Sequence, residues 1–172
     1  HVAFLLCMLL VASRLSSRLW MITGFTVGHS ITLSLSVLGL VSVRGAAVEA
    51  LIGYTVALLA AEACLRRGLR SAPWQLWLVV AGVGAITWAA GGALAPLTVL
   101  ALLLLTPAYL ALARRRQGHD ALHLAMTAVF GLVHGLGFAG VLNAIGVPAA
   151  QRGWALAGFN VGVELGQLAL LL

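Results

Sequence analysis

Hydrophobic residues in this chain form long runs that are separated by short stretches rich in arginine, glycine or proline. A helix needs about 20 apolar residues to cross a bilayer. By that measure we predict segments at 1–13, 20–42, 46–65, 74–93, 96–113, 121–142 and 154–172, and we expect the first and last to be incomplete. The runs lack the period-two alternation of strands. The pattern therefore predicts an all-α, polytopic transmembrane helix bundle in a single domain, 1–172.

Proline and acidic residues mark several of the predicted boundaries. Pro96 stands at the start of its segment, where the first turn of a helix tolerates proline. Pro107 lies inside the same segment and predicts a kink there. Asp120 immediately precedes the sixth segment and is a plausible N-cap.

The arginines predict how the segments are oriented. All ten basic residues are arginines: eight lie in the first, third and fifth loops, and two in the second and sixth. Cytoplasmic loops of membrane proteins carry an excess of arginine. We therefore predict a multi-pass protein of the inner (plasma) membrane, with the eight-arginine side facing the cytoplasm.

Composition supports lipid rather than water or nucleic acid as the main surrounding of the chain. Hydrophobic residues make up 62% of it and charged residues 8%, whereas roughly a quarter of a soluble domain is charged. The net charge of +6 alone would suit a nucleic-acid ligand. Because the arginines are distributed between apolar runs, we expect the bilayer as a partner and no nucleic acid.

Three ionisable side chains lie deep inside predicted segments: His29, His134 and Glu164. Ionisable groups at such depth are costly and usually face the interior of a bundle or line a polar path. Either histidine alone also fits a simple hydrogen-bonding role between helices. All three together favour a functional site.

The last segment combines a polar and a small-residue stripe. Its polar residues recur at i, i+4 and i+7 and therefore share one face: Asn160, Glu164 and Gln167. Its glycines recur every fourth residue: Gly158, Gly162 and Gly166. Small residues at this spacing let helices approach closely in membranes. We predict that this glycine stripe packs against another helix.

The sequence also contains a weak internal repeat of the motif F-x-x-x-H, which we call the F-x-x-x-H echo. Phe25-x-x-x-His29 in the second segment is matched by Phe130-x-x-x-His134 in the sixth. The predicted topology makes these segments run in the same direction, as in a parallel repeat about an axis along the membrane normal.

Imidazole and carboxylate together suit Ni²⁺, Co²⁺ or Zn²⁺. We predict a site for a transported divalent metal ion, with His29, His134 and Glu164 as candidate ligands and no permanently bound cofactor. Side chains that would orient these ligands are Thr26, Ser30, Asn160 and Gln167.

Two other carboxylates, Glu49 and Glu62, lie outside this predicted metal-ligand set and are interpreted separately. Glu49 fits either a ligand near an outer mouth of the pathway or a charge in the first turn of its helix. Glu62 lies four residues before Arg66, which predicts an ion pair on one helix face.

Four stretches, FTVGHSITLSL, VEALIGYTV, FGLVHGLGFAG and FNVGVELGQL, resemble the HupE/UreJ family of hydrogenase and urease accessory membrane proteins. They cover about half of the chain. The resemblance implies a helical permease that moves nickel for metalloenzyme assembly, with maturation proteins as partners. It also implies that His1 matches the last histidine of a motif in the family's first helix. FGLVHGLGFAG has one histidine and no glutamate, and so is similar to the family's second branch.

The sequence therefore predicts a non-enzymatic metal-ion permease, with His1 and Glu49 as further candidate metal residues. The alternative is a membrane accessory protein, or scaffold, that assists metalloenzyme assembly without transporting the metal. An intramembrane hydrolase is less well supported, because no nucleophile stands beside an evident base.

Overall fold

A computed structural model of the chain describes residues 2–12, 14–41, 45–68, 77–78, 81–82, 84–85, 96–115, 120–146 and 148–170. The described part is all-α and contains no strand, as predicted. Its elements are α1 (Val2–Val11), α2 (Leu15–Val37), α3 (Gly45–Arg66), α4 (Pro96–Arg115), α5 (Asp120–Ile145), a 3₁₀ turn (Ala149–Gln151) and α6 (Arg152–Ala169).

The bounds of α2 differ from the predicted segment 20–42. The helix begins earlier, at Leu15, and ends at Val37. It ends there because Gly39 adopts a left-handed conformation with φ of 76°, which favours glycine. The Gly39 and Leu40 amides donate to the carbonyl oxygens of Ser36 and Leu35, as in a Schellman motif.

In the described part, α3 alone has both the length and the hydropathy of a membrane span, at 22 residues. Three other apolar stretches are shorter: Val2–Val11, Val99–Ala113 and His123–Phe138. The predicted segment 74–93 lies largely outside the described residues. The count of seven membrane segments therefore stays a prediction.

The chain forms two compact units. The first contains Ala12–Ile52 and Asp120–Leu172, and the second contains Val2–Val11 and Gly53–His119. The first unit thus includes α2, α5 and α6, and the second includes α1 and α4.

In the first unit, α2 and α5 run parallel and touch through their backbones. A methyl group at Gly28 would overlap the carbonyl oxygen of Ala128, and one at Gly135 would overlap that of His29. Contacts move forward along both helices together, from Gly24 against Leu124 to Gly135 against His29. The predicted common direction of these two segments is therefore confirmed.

Helix α6 runs antiparallel to α2 in the same unit. Thr26, early in α2, bonds to Gln167, late in α6. Leu33 and Val37, late in α2, share an apolar cluster with Leu156, early in α6. Two aromatic rings pack against this cluster, those of Phe138 and Phe159.

The predicted packing of the α6 glycine stripe against another helix is not seen among the described residues. No described atom lies within 4 Å of a methyl group placed at Gly158, Gly162 or Gly166. The close approach occurs instead at the glycines of α2 and α5. The sequence pattern is similar in all three helices, but α6 faces its neighbours with Leu156, Phe159 and Gln167.

The second unit holds a buried polar network between α3 and α4. Arg66 donates two hydrogen bonds to Glu62 Oε1, at 2.9 and 2.8 Å, so the predicted ion pair is confirmed. Tyr109 of α4 donates to the other carboxylate oxygen. Further along, Tyr54 Oη and Thr106 Oγ1 lie 3.0 Å apart. Pro107 lies inside α4, which continues to Arg115.

Candidate functional site

His29 lies near the middle of α2 with none of its side chain exposed. Its imidazole stacks on Phe25, one turn earlier, and on Phe159 of α6, with both pairs of ring centroids 5.8 Å apart. Phe138 of α5 approaches at 6.4 Å. His29 therefore lies within a shell of three phenyl rings that come from three helices.

His134 is equally buried, on α5. The edge of its imidazole meets the ring of Phe25, with centroids 5.2 Å apart and planes at 74°. Phe25 thus contacts both histidines, which we call the imidazole pair. The structure brings together the two copies of the F-x-x-x-H echo that the sequence suggested.

The imidazole pair sits where the backbones of α2 and α5 come closest. A methyl group at Gly131 would overlap the carbonyl oxygen of Phe25, while Gly135 approaches His29 itself. Thr32 Oγ1 donates to the carbonyl oxygen of Leu132 at 2.7 Å. Close packing of small residues and an interhelical hydrogen bond are two of the forces that join helices in lipid. They hold the two histidine-bearing helices in one register.

Three of the predicted orienting residues form a polar contact one turn before His29. Thr26 Oγ1 donates to Gln167 Oε1 at 3.0 Å, which ties α2 to α6. Ser30 Oγ donates to the carbonyl oxygen of Thr26 at 2.7 Å, within its own helix. Gln167 is buried, and its amide has a hydrogen-bond partner, as buried polar groups usually do. These contacts fix α6 against α2, with Phe159 over the imidazole of His29.

Asn160 and Glu164 lie on α6, and both are partly buried. Asn160 Oδ1 and Glu164 Oε2 are buried oxygens with no hydrogen-bond partner among the described residues. An amide oxygen and a carboxylate oxygen are both hydrogen-bond acceptors. They are therefore buried acceptors that a cation would satisfy.

The described residues contain no group of three or more His, Cys, Asp or Glu side chains close enough to share a metal ion. His29, His134 and Glu164 are thus not gathered around one point in this conformation. Glu49 is exposed near the start of α3, but the first turn of this helix contains no acidic residue, so the interpretation of Glu49 as a first-turn charge is wrong. His1 lies outside the described residues. The assignment of these residues to a metal remains a prediction.

The aromatic shell is the main feature that sequence reasoning missed. Phe25 was part of the F-x-x-x-H echo, but Phe138 and Phe159 had no pattern that linked them to a histidine. Their rings stack on each other with centroids 4.3 Å apart. Thr32 was also missed. Its spacing of three residues from His29 was the available signal.

The comparisons with known proteins give one family. The family model described as "HupE / UreJ protein" matches the chain in two stretches, residues 1–88 and 85–172. The first stretch contains His29 and the second His134. No curated protein and no solved structure matches the chain.

Proposed function

We propose, since the chain belongs to the HupE/UreJ family, that it is an integral-membrane permease for a divalent metal ion. The family connects the chain with hydrogenase and urease accessory functions and with nickel or cobalt. The substrate in this proposal is Ni²⁺ or Co²⁺, delivered for metalloenzyme maturation. Transport needs no covalent chemistry, and we propose no enzymatic activity.

The observation that carries the proposal is the imidazole pair. His29 and His134 are fully buried on two parallel helices and share the ring of Phe25. A neutral imidazole offers a nitrogen lone pair, and this ligand type suits nickel, cobalt and zinc. Ionisable side chains at such a position in a membrane bundle usually belong to an ion or substrate pathway.

The packing around the pair supports selective but reversible binding. Backbone contact at Gly131 and Gly135 keeps α2 and α5 close, so the two imidazoles have little freedom to separate. The phenyl rings provide no competing ligands. A transported ion must bind well enough to lose water, yet weakly enough to leave. Two nitrogen ligands in an apolar shell meet both conditions better than a closed four-ligand cage, which holds a structural metal.

The membrane placement and the orientation belong to the same proposal. The arginine-rich loops face the cytoplasm, and the exposed Glu49 lies toward the opposite side, near an outer mouth. With this orientation, a cation that leaves the imidazole pair inward reaches the compartment where metalloenzymes mature.

Uptake of radioactive Ni²⁺ into vesicles that contain the full chain tests the proposal. We expect wild-type vesicles to accumulate the metal and His29→Ala vesicles to lose most of that uptake. His123→Ala is the matched control, because His123 lies near the start of α5, about three turns before His134. Absence of uptake by the wild type, together with a need for the chain in metalloenzyme maturation, would favour the non-transporting accessory role instead.

A further inference from the structure

We propose that α6 carries a second cation station, formed by Asn160 Oδ1 and Glu164 Oε2 and separate from the imidazole pair. We call these two atoms the oxygen pair. The proposal rests on the proposed function and adds to it a second binding site on the same metal pathway. It follows from the two buried oxygens that have no partner among the described residues, and from the way α6 faces α2.

The helical geometry of α6 turns Glu164 away from the imidazole pair. Phe159 stacks on His29, so its side of α6 faces the imidazole pair. Each residue turns a helix by about 100°, which places Glu164 about 140° around the axis from Phe159. Gln167, a further α6 residue that contacts α2, lies about 60° around the axis from Glu164. Glu164 therefore flanks the α2-facing side rather than pointing along it.

The spacing within α6 makes the two oxygens one site. Asn160 and Glu164 are four residues apart and are neighbours on adjacent turns. Leaving a buried polar group without a hydrogen-bond partner is unfavourable, and more so if the group is charged. Two such acceptors side by side increase that cost. A cation between them satisfies both and cancels the carboxylate charge.

The ligand types give the two stations different tasks. Carboxylate and amide oxygens suit a hard cation that keeps part of its water shell, whereas imidazole nitrogens suit the borderline metals. The oxygen pair would hold a partly hydrated divalent ion with modest affinity. The imidazole pair would select among metals. Ion pathways commonly use several weak sites, so that one bound ion helps the next to leave.

Counting bound ions tests the second station. We would titrate the purified full chain in lipid nanodiscs with Ni²⁺ and measure the stoichiometry by calorimetry. The wild type should bind two ions per chain with different affinities. Glu164→Gln should lower the weaker affinity by about tenfold or more, since losing even an outer-shell partner of a metal costs 10–100-fold. The tighter step should be unchanged.

Two further variants make the outcome specific. The double variant His29→Ala/His134→Ala should keep only the weaker ion, and Asn160→Asp should keep both and tighten the weaker one. His123→Ala is the matched control, because it removes a histidine near the start of α5 that belongs to neither pair and should leave two ions bound.

The failures of the two proposals are distinguishable. A wild type that binds one ion, lost equally in Glu164→Gln and in His29→Ala, would overturn the second station and leave a single three-ligand site. Binding of one ion that Glu164→Gln does not change would also overturn it. A wild type that binds no Ni²⁺ in the titration would overturn both proposals.

Discussion

Thr32 donates a hydrogen bond to the backbone carbonyl oxygen of Leu132, with 2.7 Å between the two oxygens, although the residues are 100 positions apart in the sequence. The bond joins α2 to α5 at the level of the imidazole pair. Thr32 follows His29 by three residues, and Leu132 precedes His134 by two. A single polar contact therefore helps to set the register in which the two imidazoles meet.

Thr32→Val keeps the shape of the side chain and removes this bond. We expect a small loss of stability, about 0.6 kcal/mol, which is typical of an interhelical hydrogen bond in a membrane protein. The loss stays small because the carbonyl oxygen keeps its bond within α5. Unfolding in mixed detergent measures the change, and Thr32→Ser should retain most of the stability. A loss in Thr32→Ser as large as in Thr32→Val would mean that packing of the methyl group, not the bond, is responsible.

Gly131→Ala should destabilise the first unit. The added methyl group would overlap the carbonyl oxygen of Phe25, and backbone atoms cannot move aside as a flexible side chain can. Overpacking of this kind costs typically about 1–3 kcal/mol, which exceeds the gain of up to about 1 kcal/mol from replacing glycine in a helix. The melting temperature of the protein in detergent should therefore fall.

Gly162→Ala is the matched control for this variant. No atom of the described residues lies within 4 Å of the new methyl group, so only the helix-propensity gain remains and the melting temperature should stay the same or rise. A fall for Gly162→Ala equal to that for Gly131→Ala would show that α6 has a close neighbour on its glycine face.

Local signals predicted the elements well, and the reasons are physical. Pro96 does open α4, α3 lies within one residue of its predicted bounds, and Glu62 pairs with Arg66. Each depends on residues that are near in the sequence. The histidines were also found, because an ionisable group in an apolar run is conspicuous.

The sequence did not predict in the same way which face of each helix packs against its neighbours. The glycine stripe containing Gly162 resembles the pair Gly131 and Gly135, yet within the described part of the chain only this pair contacts another backbone. Which face a helix presents depends on all of its neighbours at once. For the same reason Glu164 was grouped with the histidines by depth, although Phe159 is the α6 residue that stacks on His29.

Arg66→Gln should destabilise the second unit strongly. Glu62 is 2% exposed, and its hydrogen bond from Tyr109 would remain but would not offset the charge of the carboxylate. Breaking a buried ion pair by removing one partner costs about 3–5 kcal/mol. Glu62→Gln in the same chain should recover part of the loss, since it removes the uncompensated charge. Detergent unfolding of the single and double variants measures this coupling.

Arg67→Gln is the control for that experiment. Arg67 is an exposed arginine next to Arg66 in sequence, and surface charges contribute about 0–1 kcal/mol. Equal losses for Arg66→Gln and Arg67→Gln would contradict a special role for the buried pair.

The orientation can be read by chemical labelling. In a chain with Cys7→Ala and Cys64→Ala, we expect Arg67→Cys to be shielded from an impermeant thiol reagent in intact cells. Gln151→Cys should react, because it lies in the loop with few arginines. Both positions are exposed, so burial does not distinguish them. The reverse labelling pattern would invert the proposed topology.

His29→Ala and His134→Ala should each lower the initial rate of Ni²⁺ uptake by about tenfold or more, because losing even an outer-shell partner of a metal costs 10–100-fold. If both imidazoles bind the same ion, each is needed in one event and the two losses should not add. The double variant should then be scarcely worse than either single one. Uptake has to be compared at equal amounts of protein in the membrane, because both side chains also pack against Phe25.

His29→Gln and His134→Gln separate binding from packing. Glutamine retains a polar side chain of similar reach but has no imidazole nitrogen to offer a metal. A purely structural role would be partly rescued by glutamine, whereas a ligand role would not. Normal uptake in both glutamine variants, with an unchanged thermal melt, would mean that the histidines join the helices and do not carry the ion. His123→Ala should remain close to wild type throughout, since it changes a histidine of the same helix far from the imidazole pair.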